Sequence, residues 1–254
     1  MQTRIILLAG DRDTTPIVYN ALAKCTEVSR VIIEPPITRS KLLRWRAKRY
    51  GVTSVVGQSL FALFMQPLLA WSARGRRKQI VREASLKDQP IPNDVCVRVA
   101  SVNDDAVISE LETIKPTHVV VHGTRILSKK VLRSVGAPFV NIHAGITPRY
   151  RGSHGAYWAL VEKDRERCGV TVHLVDEGID TGPVLAQAKI GPTSRDNFAT
   201  YPLLQLAVGL TLLCDLLAAG TLVPQNLPLD EDSRVWAHPT LWGYLWHRIR
   251  DGVK

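Results

Sequence analysis

The stretch Ala137-Pro138-Phe139-Val140-Asn141-Ile142-His143 joins an apolar run to an amide and an imidazole side chain. The run from Ala137 to Val140 predicts a β-strand, and Asn141 and His143 point to the same face because they lie two residues apart at its end. A second strand-like run leads into the turn Asp176-Glu177-Gly178-Ile179-Asp180-Thr181-Gly182. An amide that donates to a developing oxyanion, an imidazole that carries a proton and a carboxylate that accepts one suit addition to a carbonyl. We therefore predict one active site that joins the two stretches.

The segments around this site alternate between short apolar runs and helical patterns. Strands are expected at 4–10, 28–33, 95–99, 118–121, 138–142, 169–175 and 184–190. Helices are expected at 16–24 with Thr15 as the cap, and at 104–114, 129–133, 155–163 and 201–219. This alternation is typical of an α/β fold, with a Rossmann-like, mostly parallel sheet and helices on both faces. Ligands of such sheets bind beyond the carboxyl ends of the strands, where both stretches lie.

We expect two parts in the chain. The first is an α/β domain at 1–195 that contains a basic helical insertion at 35–82. The second is a C-terminal helix with an aromatic tail at 196–254, packed on the same domain.

These motifs resemble the 10-formyltetrahydrofolate-dependent formyltransferases, which include glycinamide ribonucleotide, methionyl-tRNA and sugar-amine N-formyltransferases. The catalytic Asn-x-His motif of that family matches Asn141 and His143, and its catalytic Asp matches Asp180. The resemblance is good from about Pro116 to Ile190 and poor elsewhere. It implies the formyltransferase fold, with transfer of a formyl group from 10-formyltetrahydrofolate to a primary amine and no metal.

The resemblance also implies which residues bind the two substrates. Arg125-Ile126-Leu127-Ser128 resembles the family's folate-contacting stretch, and Pro148-Arg149-Tyr150-Arg151-Gly152 resembles the loop after Asn-x-His. The residues expected to bind the folate are Arg125, Ile126, Leu127 and Asp176. The residues expected to bind the amine acceptor are Arg149, Tyr150, Arg151 and His154. An ordinary connecting loop remains the alternative for both stretches. His173, seven residues before Asp180, is a further candidate to contact a substrate or to support the site, and a core position remains the alternative for His154 and His173.

Two further expectations concern the acceptor. The loop from Gly10 to Thr15 has one Gly and two carboxylates, where glycinamide ribonucleotide enzymes have a phosphate-binding loop, and carboxylates repel phosphate. We also expect no separate tRNA-holding domain of the methionyl-tRNA type. Both points favour a small-molecule acceptor, an amino sugar or sugar nucleotide for surface polysaccharide. The alternatives are a glycinamide ribonucleotide formyltransferase, a formyltetrahydrofolate hydrolase in which water replaces the amine, and a non-enzymatic, membrane-recruited binding protein.

The positive charge of the chain lies in one segment. The 254 residues carry a net charge of +10, with 45% hydrophobic and 22% charged residues, which is ordinary for a globular protein. The segment from Pro35 to Arg82 has eleven basic residues and no Asp or Glu, so the rest of the chain carries 10 − 11 = −1. Its middle, Val52 to Ala73, is uncharged and apolar. A segment of this composition needs its own explanation.

Three explanations of the basic segment remain open. It forms amphipathic helices on an anionic membrane surface, a homodimer or lid element, or a plain surface insertion. Pro67, two Gln and basic flanks at both ends disfavour a spanning helix. The scattered cysteines predict reduced thiols in a cytoplasmic protein, at the inner face of the membrane if the first explanation holds. Nucleic-acid binding is not expected, because no recognition motif accompanies the charge.

Overall fold

The computed structural model of the chain describes residues 3–220, 222–226 and 232–254. The strands are β1 (Arg4–Gly10), β2 (Glu27–Glu34), β3 (Cys96–Arg98), β4 (His118–His122), β5 (Phe139–His143), β6 (Tyr150–Gly152), β7 (Gly169–Leu174), β8 (Val184–Lys189) and β9 (Arg234–Trp236). The helices are α1 (Thr15–Cys25), α2 (Arg39–Tyr50), α3 (Val52–Leu60), α4 (Gln66–Ser72), α5 (Arg74–Glu83), α6 (Asp105–Ile114), α7 (Lys129–Leu132), α8 (Gly155–Val161), α9 (Tyr201–Ala219) and α10 (Leu241–Asp251). A π-helical turn, Phe61–Met65, joins α3 to α4, and a 3₁₀ turn, Arg165–Arg167, precedes β7. The predicted parts 1–195 and 196–254 include residues 1–2, 221 and 227–231, which lie outside the described residues.

The main sheet contains seven strands in the order β3-β2-β1-β4-β5-β7-β8. The strands from β3 to β5 pair in parallel, whereas β7 pairs antiparallel with both β5 and β8. This architecture confirms the predicted mostly parallel α/β sheet. It also makes β5 and β7 neighbours, so the two stretches of the predicted site leave the sheet side by side.

Hydrophobic helices cover both faces of the sheet. Alternate residues of β1 point to opposite sides, so Ile5 and Leu7 pack with α1 and α9, whereas Ile6 and Leu8 pack with α6 and α7. All four of these side chains are fully buried, as expected for a central parallel strand. Helix α9 is long and apolar enough to cross a membrane, but its leucines pack on this sheet as a core helix.

Two local predictions were wrong or incomplete. Thr15 lies inside α1 and does not cap it, because its hydroxyl donates to the carbonyl of Gly10 at 2.7 Å, and Thr14 takes the cap position. The sequence also gave no signal for a two-stranded parallel sheet of β6 and β9. In that sheet Gly152 pairs with Trp236, so the aromatic tail lies beside the loop that follows β5.

The basic segment forms helices α2 to α5. The run from Val52 to Ser72 is one continuous helix, because the π-turn links α3 to α4 without a break. Phe61 and Leu69 of this helix are buried in a cluster with Tyr157, Phe198 and Tyr244, the last of which belongs to α10. The insertion and the C-terminal helix therefore pack together on one side of the domain.

Candidate active site

Asn141 and His143 end β5, at the carboxyl edge of the parallel strands, next to β7. Asn141 faces His173 across the β5–β7 pair. The turn after β7 brings Asp180 back over the same edge. We call the cavity of about 390 Å³ that all four residues line the inner cavity. The structure thus brings together the three predicted catalytic residues, and it adds His173 to them.

Both ring nitrogens of His143 face oxygen acceptors. Its Nδ1 lies 3.3 Å from Oδ2 of Asp180, and its Nε2 donates to the carbonyl of Tyr150 at 2.7 Å. The imidazole is 5% exposed. A buried ring between a carboxylate and a carbonyl is best satisfied when both nitrogens carry a proton.

The pKa values of this pair shift in opposite directions. Burial favours the neutral form of His143, but the hydrogen bond and charge of Asp180 outweigh it, so the pKa of His143 lies above its usual 6.5. Burial likewise disfavours the charged form of Asp180, but His143 and the Gly152 amide outweigh it and hold the pKa of Asp180 below 3.8. Both shifts therefore favour an imidazolium at His143 paired with a carboxylate at Asp180.

His173 fixes the orientation of Asn141. The Nδ1 of His173 donates to the carbonyl of Leu174 at 2.7 Å, which leaves its Nε2 as an acceptor. The Nδ2 of Asn141 lies 3.2 Å from that Nε2. Burial lowers the pKa of His173, so its ring is neutral and retains this acceptor. One amide hydrogen of Asn141 is thereby committed, and its second hydrogen remains for a ligand.

The turn that carries Asp180 is held by its own polar contacts. Asp180 has a left-handed backbone with φ of 52°, and the amide of Gly152 donates to its Oδ2 at 2.8 Å. The hydroxyl of Thr181 donates to the carboxylate of Asp176 at 2.7 Å, which closes the turn. Gly182 passes so near the carbonyl of Leu174 that any Cβ would collide with it. The site is therefore preorganised by backbone geometry.

The sequence matches the family model described as Formyl transferase over residues 67–201, which is more than half of the chain. The chain belongs to the formyl transferase family. This confirms the family predicted from the two motifs.

Curated relatives point to the same family. The methionyl-tRNA formyltransferase of Campylobacter jejuni subsp. jejuni serotype O:6 (strain 81116 / NCTC 11828) is 32% identical over 171 residues, which cover 66% of this chain and 54% of the relative. That of Methylacidiphilum infernorum (isolate V4) is 32% identical over 190 residues, with 70% and 58% covered. The chain spans about half the length of the curated relatives it matches.

Solved structures share the fold. A phosphoribosylglycinamide formyltransferase from Streptococcus pneumoniae TIGR4 superposes with a TM-score of 0.54 at 19% identity, covering 87% of this chain and 100% of that chain. A sugar N-formyltransferase from Shewanella sp FDAARGOS_354 superposes with a TM-score of 0.53 at 16% identity, covering 92% and 76%. At these identities the likeness establishes the formyl transferase fold.

The predicted folate-binding residues border the inner cavity. Arg125, Ile126, Leu127 and Asp176 all belong to its lining. The buried carboxylate of Glu34 accepts from the backbone amide of Arg125 at 2.6 Å and pairs with its guanidinium. This contact fixes the strand-to-helix loop against the end of β2.

The predicted acceptor residues take other contacts. Arg149 pairs with Asp164 and Asp232, and the hydroxyl of fully buried Tyr150 donates to Asp164 at 3.0 Å. Arg151 donates to the carbonyl of Ile179 at 3.4 Å. None of these three side chains lines the inner cavity.

The fourth predicted acceptor residue, His154, is also outside that cavity. Its ring packs on Phe198 and lies 3.3 Å from His238, nitrogen to nitrogen. Burial lowers the pKa of both imidazoles, that of His238 to about 4, so the two rings form a neutral pair. Direct acceptor binding by the four residues stays a prediction that this geometry does not support.

A larger outer cavity of about 620 Å³ adjoins the inner one. The two share the residues around Asp180, including Arg125, Ile126 and Ser153. The outer wall comes from the basic insertion and the tail, whose contributing side chains are Ile37, Leu42, Trp45, Arg46, Tyr50, Val235, Trp236 and His238. This wall is mostly apolar and aromatic. Asp180 also lines the outer cavity, so the cavity opens onto the His143–Asp180 pair.

Sequence reasoning missed several residues of this site. The backbone groups of Tyr150 and Gly152 bind the side chains of His143 and Asp180, but a backbone contact cannot be predicted from the residue type. Gly123 and Thr124, which line the inner cavity, follow directly after β4. The rule that parallel sheets bind ligands at the carboxyl ends of their strands could have found them.

Proposed function

We propose that this protein transfers a formyl group from 10-formyltetrahydrofolate to a primary amine. The observation that carries the proposal is the ion pair of His143 and Asp180 beside Asn141, at a cavity edged by the predicted folate-binding stretch. Membership of the formyl transferase family supports it.

Asn141 and His143 stabilise the oxyanion in this reaction. When the amine nitrogen attacks the formyl carbon, its carbon–oxygen double bond becomes a single bond and negative charge collects on the oxygen. The imidazolium of His143 places a fixed positive charge near that oxygen, and the second amide hydrogen of Asn141 donates to it. Both groups are oriented before the substrates arrive, so little reorganisation is needed.

Asp180 guides the proton that the reaction must move. The amine loses one proton as its bond to the formyl carbon forms. The bond between that carbon and N10 of the folate then breaks, its electron pair stays on N10, and N10 takes up a proton. Asp180 borders both cavities, so its carboxylate is placed to hydrogen-bond the incoming amine and to direct its proton towards N10.

The inner cavity fits the folate end of the reaction. Val121, Leu127 and Val175 provide an apolar wall for a flat ring, and the loop at Arg125 to Leu127 offers backbone groups at its edge. Held there, the formyl-bearing nitrogen lies towards Asn141, His143 and Asp180. Catalysis then requires the acceptor to approach from the side of Asp180.

We propose an amino sugar or sugar nucleotide as the acceptor. The loop Gly10 to Thr15, where a ribonucleotide phosphate would bind, borders a cavity of only about 100 Å³. Its two acids are already engaged, Asp11 with Arg98 and Asp13 with Arg77, so they repel phosphate less than their charges suggest. The small cavity is therefore the stronger argument against glycinamide ribonucleotide.

The test is an acceptor screen with purified protein and 10-formyltetrahydrofolate. Amino sugars, their nucleotides, glycinamide ribonucleotide and methionyl-tRNA are compared by mass spectrometry of the formylated product. Formylation of an amino sugar above the other acceptors supports the proposal, and efficient formylation of either of the others replaces it. Formate release at the same rate without any amine identifies a hydrolase instead.

We place this reaction in the cytoplasm. The basic segment then faces one of two partners, an anionic membrane surface or a second copy of the chain. Gel filtration with light scattering separates these partners, because only the second gives a dimer in the absence of lipid.

A further inference from the structure

The basic insertion and the C-terminal helix expose a large apolar surface. We call it the apolar face; its members are Val52, Val56, Leu63, Phe64, Leu68, Trp71, Trp242, Leu245, Trp246 and Ile249. Leu63, Trp71 and Ile249 are 66%, 63% and 83% exposed. Scattered exposed hydrophobic residues are normal in soluble proteins, but a contiguous group of this size marks an interaction site.

The helix from Val52 to Ser72 lies on the protein and does not leave it. Its length and hydropathy would let it cross a membrane. However, Phe61 and Leu69 on its inner side are buried in the core cluster, and the amide of Gln58 donates to the carbonyl of His238 at 3.0 Å. Spanning would break these contacts. The helix therefore presents one apolar side to the protein and another to the outside, as helices in a membrane interface do.

The two parts of the apolar face are continuous. Helix α10 packs against α3 so closely at Gly57 that a Cβ there would collide with the indole of Trp242. Helix α2 continues the surface on the other side, with Leu43 and Trp45 exposed. The guanidinium of Arg49 lies 5.8 Å from the ring of Trp45.

The charge around this surface has one sign. Arg76 and Arg77 of the insertion pair with Asp196 and Asp13 and so hold the segment to the domain. Among the described side chains, the insertion's other cations form no ion pair with a carboxylate; they are Arg44, Arg46, Lys48, Arg49, Arg74, Lys78 and Arg82. An insertion that exposes apolar side chains and carries unpaired cations complements anionic lipid. Two copies of it would bring like charges together, which opposes a dimer through this face.

The outer cavity joins the apolar face to the catalytic pair. Trp45 of α2 belongs to both the cavity wall and the exposed surface, and His238, whose carbonyl holds α3, also lines the cavity. Asp180 lines the same cavity. A molecule anchored in lipid beside α2 therefore has an apolar and aromatic path to the site of chemistry.

We infer that the apolar face docks on an anionic membrane and that the acceptor is an amphiphile, with its amine on a headgroup and its apolar chain in the lipid. This inference rests on the proposed formyl transfer and names the class of its acceptor. The outer cavity takes the headgroup and the first part of the chain, and Arg46 is placed to pair with a phosphate between them.

The docking is tested by co-sedimentation with vesicles of phosphatidylcholine, alone or with phosphatidylglycerol. The variant Phe64→Ser/Trp71→Ser/Trp246→Ser removes apolar anchors, and Arg44→Gln/Lys48→Gln/Arg74→Gln removes cations. Each is expected to weaken binding to the anionic vesicles by at least about tenfold. Val223→Ser and Lys87→Gln/Lys130→Gln/Arg165→Gln are the matched controls and bind as wild type does. Equal or absent binding to the two lipids overturns the docking, as does a dimer that buries the face.

The acceptor class is tested with two probes, an amino sugar on a long-chain alkyl phosphate in anionic vesicles and the same sugar on a methyl phosphate in solution. The chain-linked probe is expected to react at least about tenfold more efficiently in kcat/KM, and the cation variant loses that advantage while its rate on the methyl probe is unchanged. Equal efficiency for the two probes overturns the amphiphilic acceptor. The variant Trp45→Ala tests which substrate the outer cavity binds. If Trp45→Ala raises KM for the folate alone, the outer cavity binds the folate tail, and the amphiphilic acceptor is overturned as well. If neither probe reacts while vesicle binding persists, the proposed formyl transfer has failed and the docking stands.

Discussion

His143 is held from two sides, by the Asp180 carboxylate and by the Tyr150 carbonyl. Because both ring nitrogens are engaged, the imidazole acts as an oriented cation rather than as a freely exchanging base. Asn141 is oriented in turn by His173, whose neutral ring accepts one of its hydrogens. In the proposed reaction, these oriented groups stabilise the oxyanion by electrostatic preorganisation.

Removal of either oxyanion-stabilising group should therefore reduce turnover. His143→Ala and Asn141→Ala are each expected to lower kcat for formyl transfer by at least about a hundredfold, with folate affinity largely retained. The measurement is steady-state kinetics together with folate titration by fluorescence. His118→Ala, at the opposite end of β4, is the control. More than half of the wild-type turnover in His143→Ala would refute the catalytic assignment.

The ion pair also fixes the pH dependence. The pKa of His143 is raised chiefly because Asp180 outweighs its burial, so the cation persists above pH 6.5 and is lost as the pH rises through the raised pKa. Asp180→Asn removes that support while the burial remains. We expect the alkaline limb of the kcat profile to move to lower pH in Asp180→Asn, in addition to a lower maximum. An unchanged limb would show that another group sets it.

The residues that act through a functional side chain were predictable from the sequence, and those that act through a backbone group were not. Asn141, His143 and Asp180 carry side chains whose spacing after apolar runs indicates a strand-end site. The Tyr150 carbonyl and the Gly152 amide could belong to any residue type, so only the fold reveals them. The same limit explains why the predicted acceptor residues Arg149 and Arg151 do not line the inner cavity. Arg149 pairs with Asp164, and Arg151 donates to the carbonyl of Ile179, and neither contact is visible in the sequence.

At the scale of elements, α3 and α10 meet through a glycine. An alanine at Gly57 would push against Trp242, which is held by its own helix. Gly57→Ala is expected to destabilise the fold by about 1–3 kcal/mol, as overpacking does. Gly75→Ala, in α5 with open space around it, is the matched control and is expected to be neutral or to stabilise by up to about 1 kcal/mol. Urea unfolding followed by circular dichroism gives both values, and equal stability of the two variants would contradict the contact.

The strands of the main sheet and the helices that cover it were placed within a few residues, including the short elements β3 and α7, whereas β6 and β9 were not found. The strands β6 and β9 have three residues each, too few for alternation to be visible, and they pair across more than eighty residues of chain. A strand partner so distant in the chain cannot be predicted from the local sequence. Their pairing nevertheless decides where the tail lies and what the outer cavity contains.

At the scale of the whole molecule, the family followed from two motifs and the sheet from the alternation of strand and helix patterns, but the role of the basic segment followed from neither. Its composition was compatible with a membrane surface, a dimer contact or a lid. Only the packed structure separates its inner side, which holds Phe61 and Leu69, from its exposed side. The pattern of charges in the sequence does not separate the inner side from the exposed side, because arginines both anchor the segment to the domain and remain unpaired on its surface.

The ion pair between Arg76 and Asp196 is the most buried of the ion pairs that hold the insertion on the domain. The carboxylate is fully buried, the guanidinium side chain is 11% exposed, and their closest atoms are 2.9 Å apart. Burial disfavours the charged carboxylate, but Arg76 and the Thr193 contacts outweigh it, so the pKa of Asp196 is lowered. Its contribution to stability is therefore present above pH 3.8 and is lost as the pH falls through the lowered pKa.

Loss of one partner leaves the other charge buried and unpaired. Arg76→Gln is expected to lower the free energy of unfolding by at least about 2 kcal/mol, and the double variant Arg76→Gln/Asp196→Asn should recover part of that loss. The exposed pair of Arg133 and Glu177 is the control, because its removal should change stability by no more than about 1 kcal/mol. Urea unfolding at pH 7 and below pH 4 measures the stability of these three variants and of the wild type. If the insertion is anchored as described, the gap between wild type and Arg76→Gln narrows in acid, because Asp196 then becomes neutral in both. A gap that does not change with pH would show that the charge of Asp196 does not contribute to holding the segment.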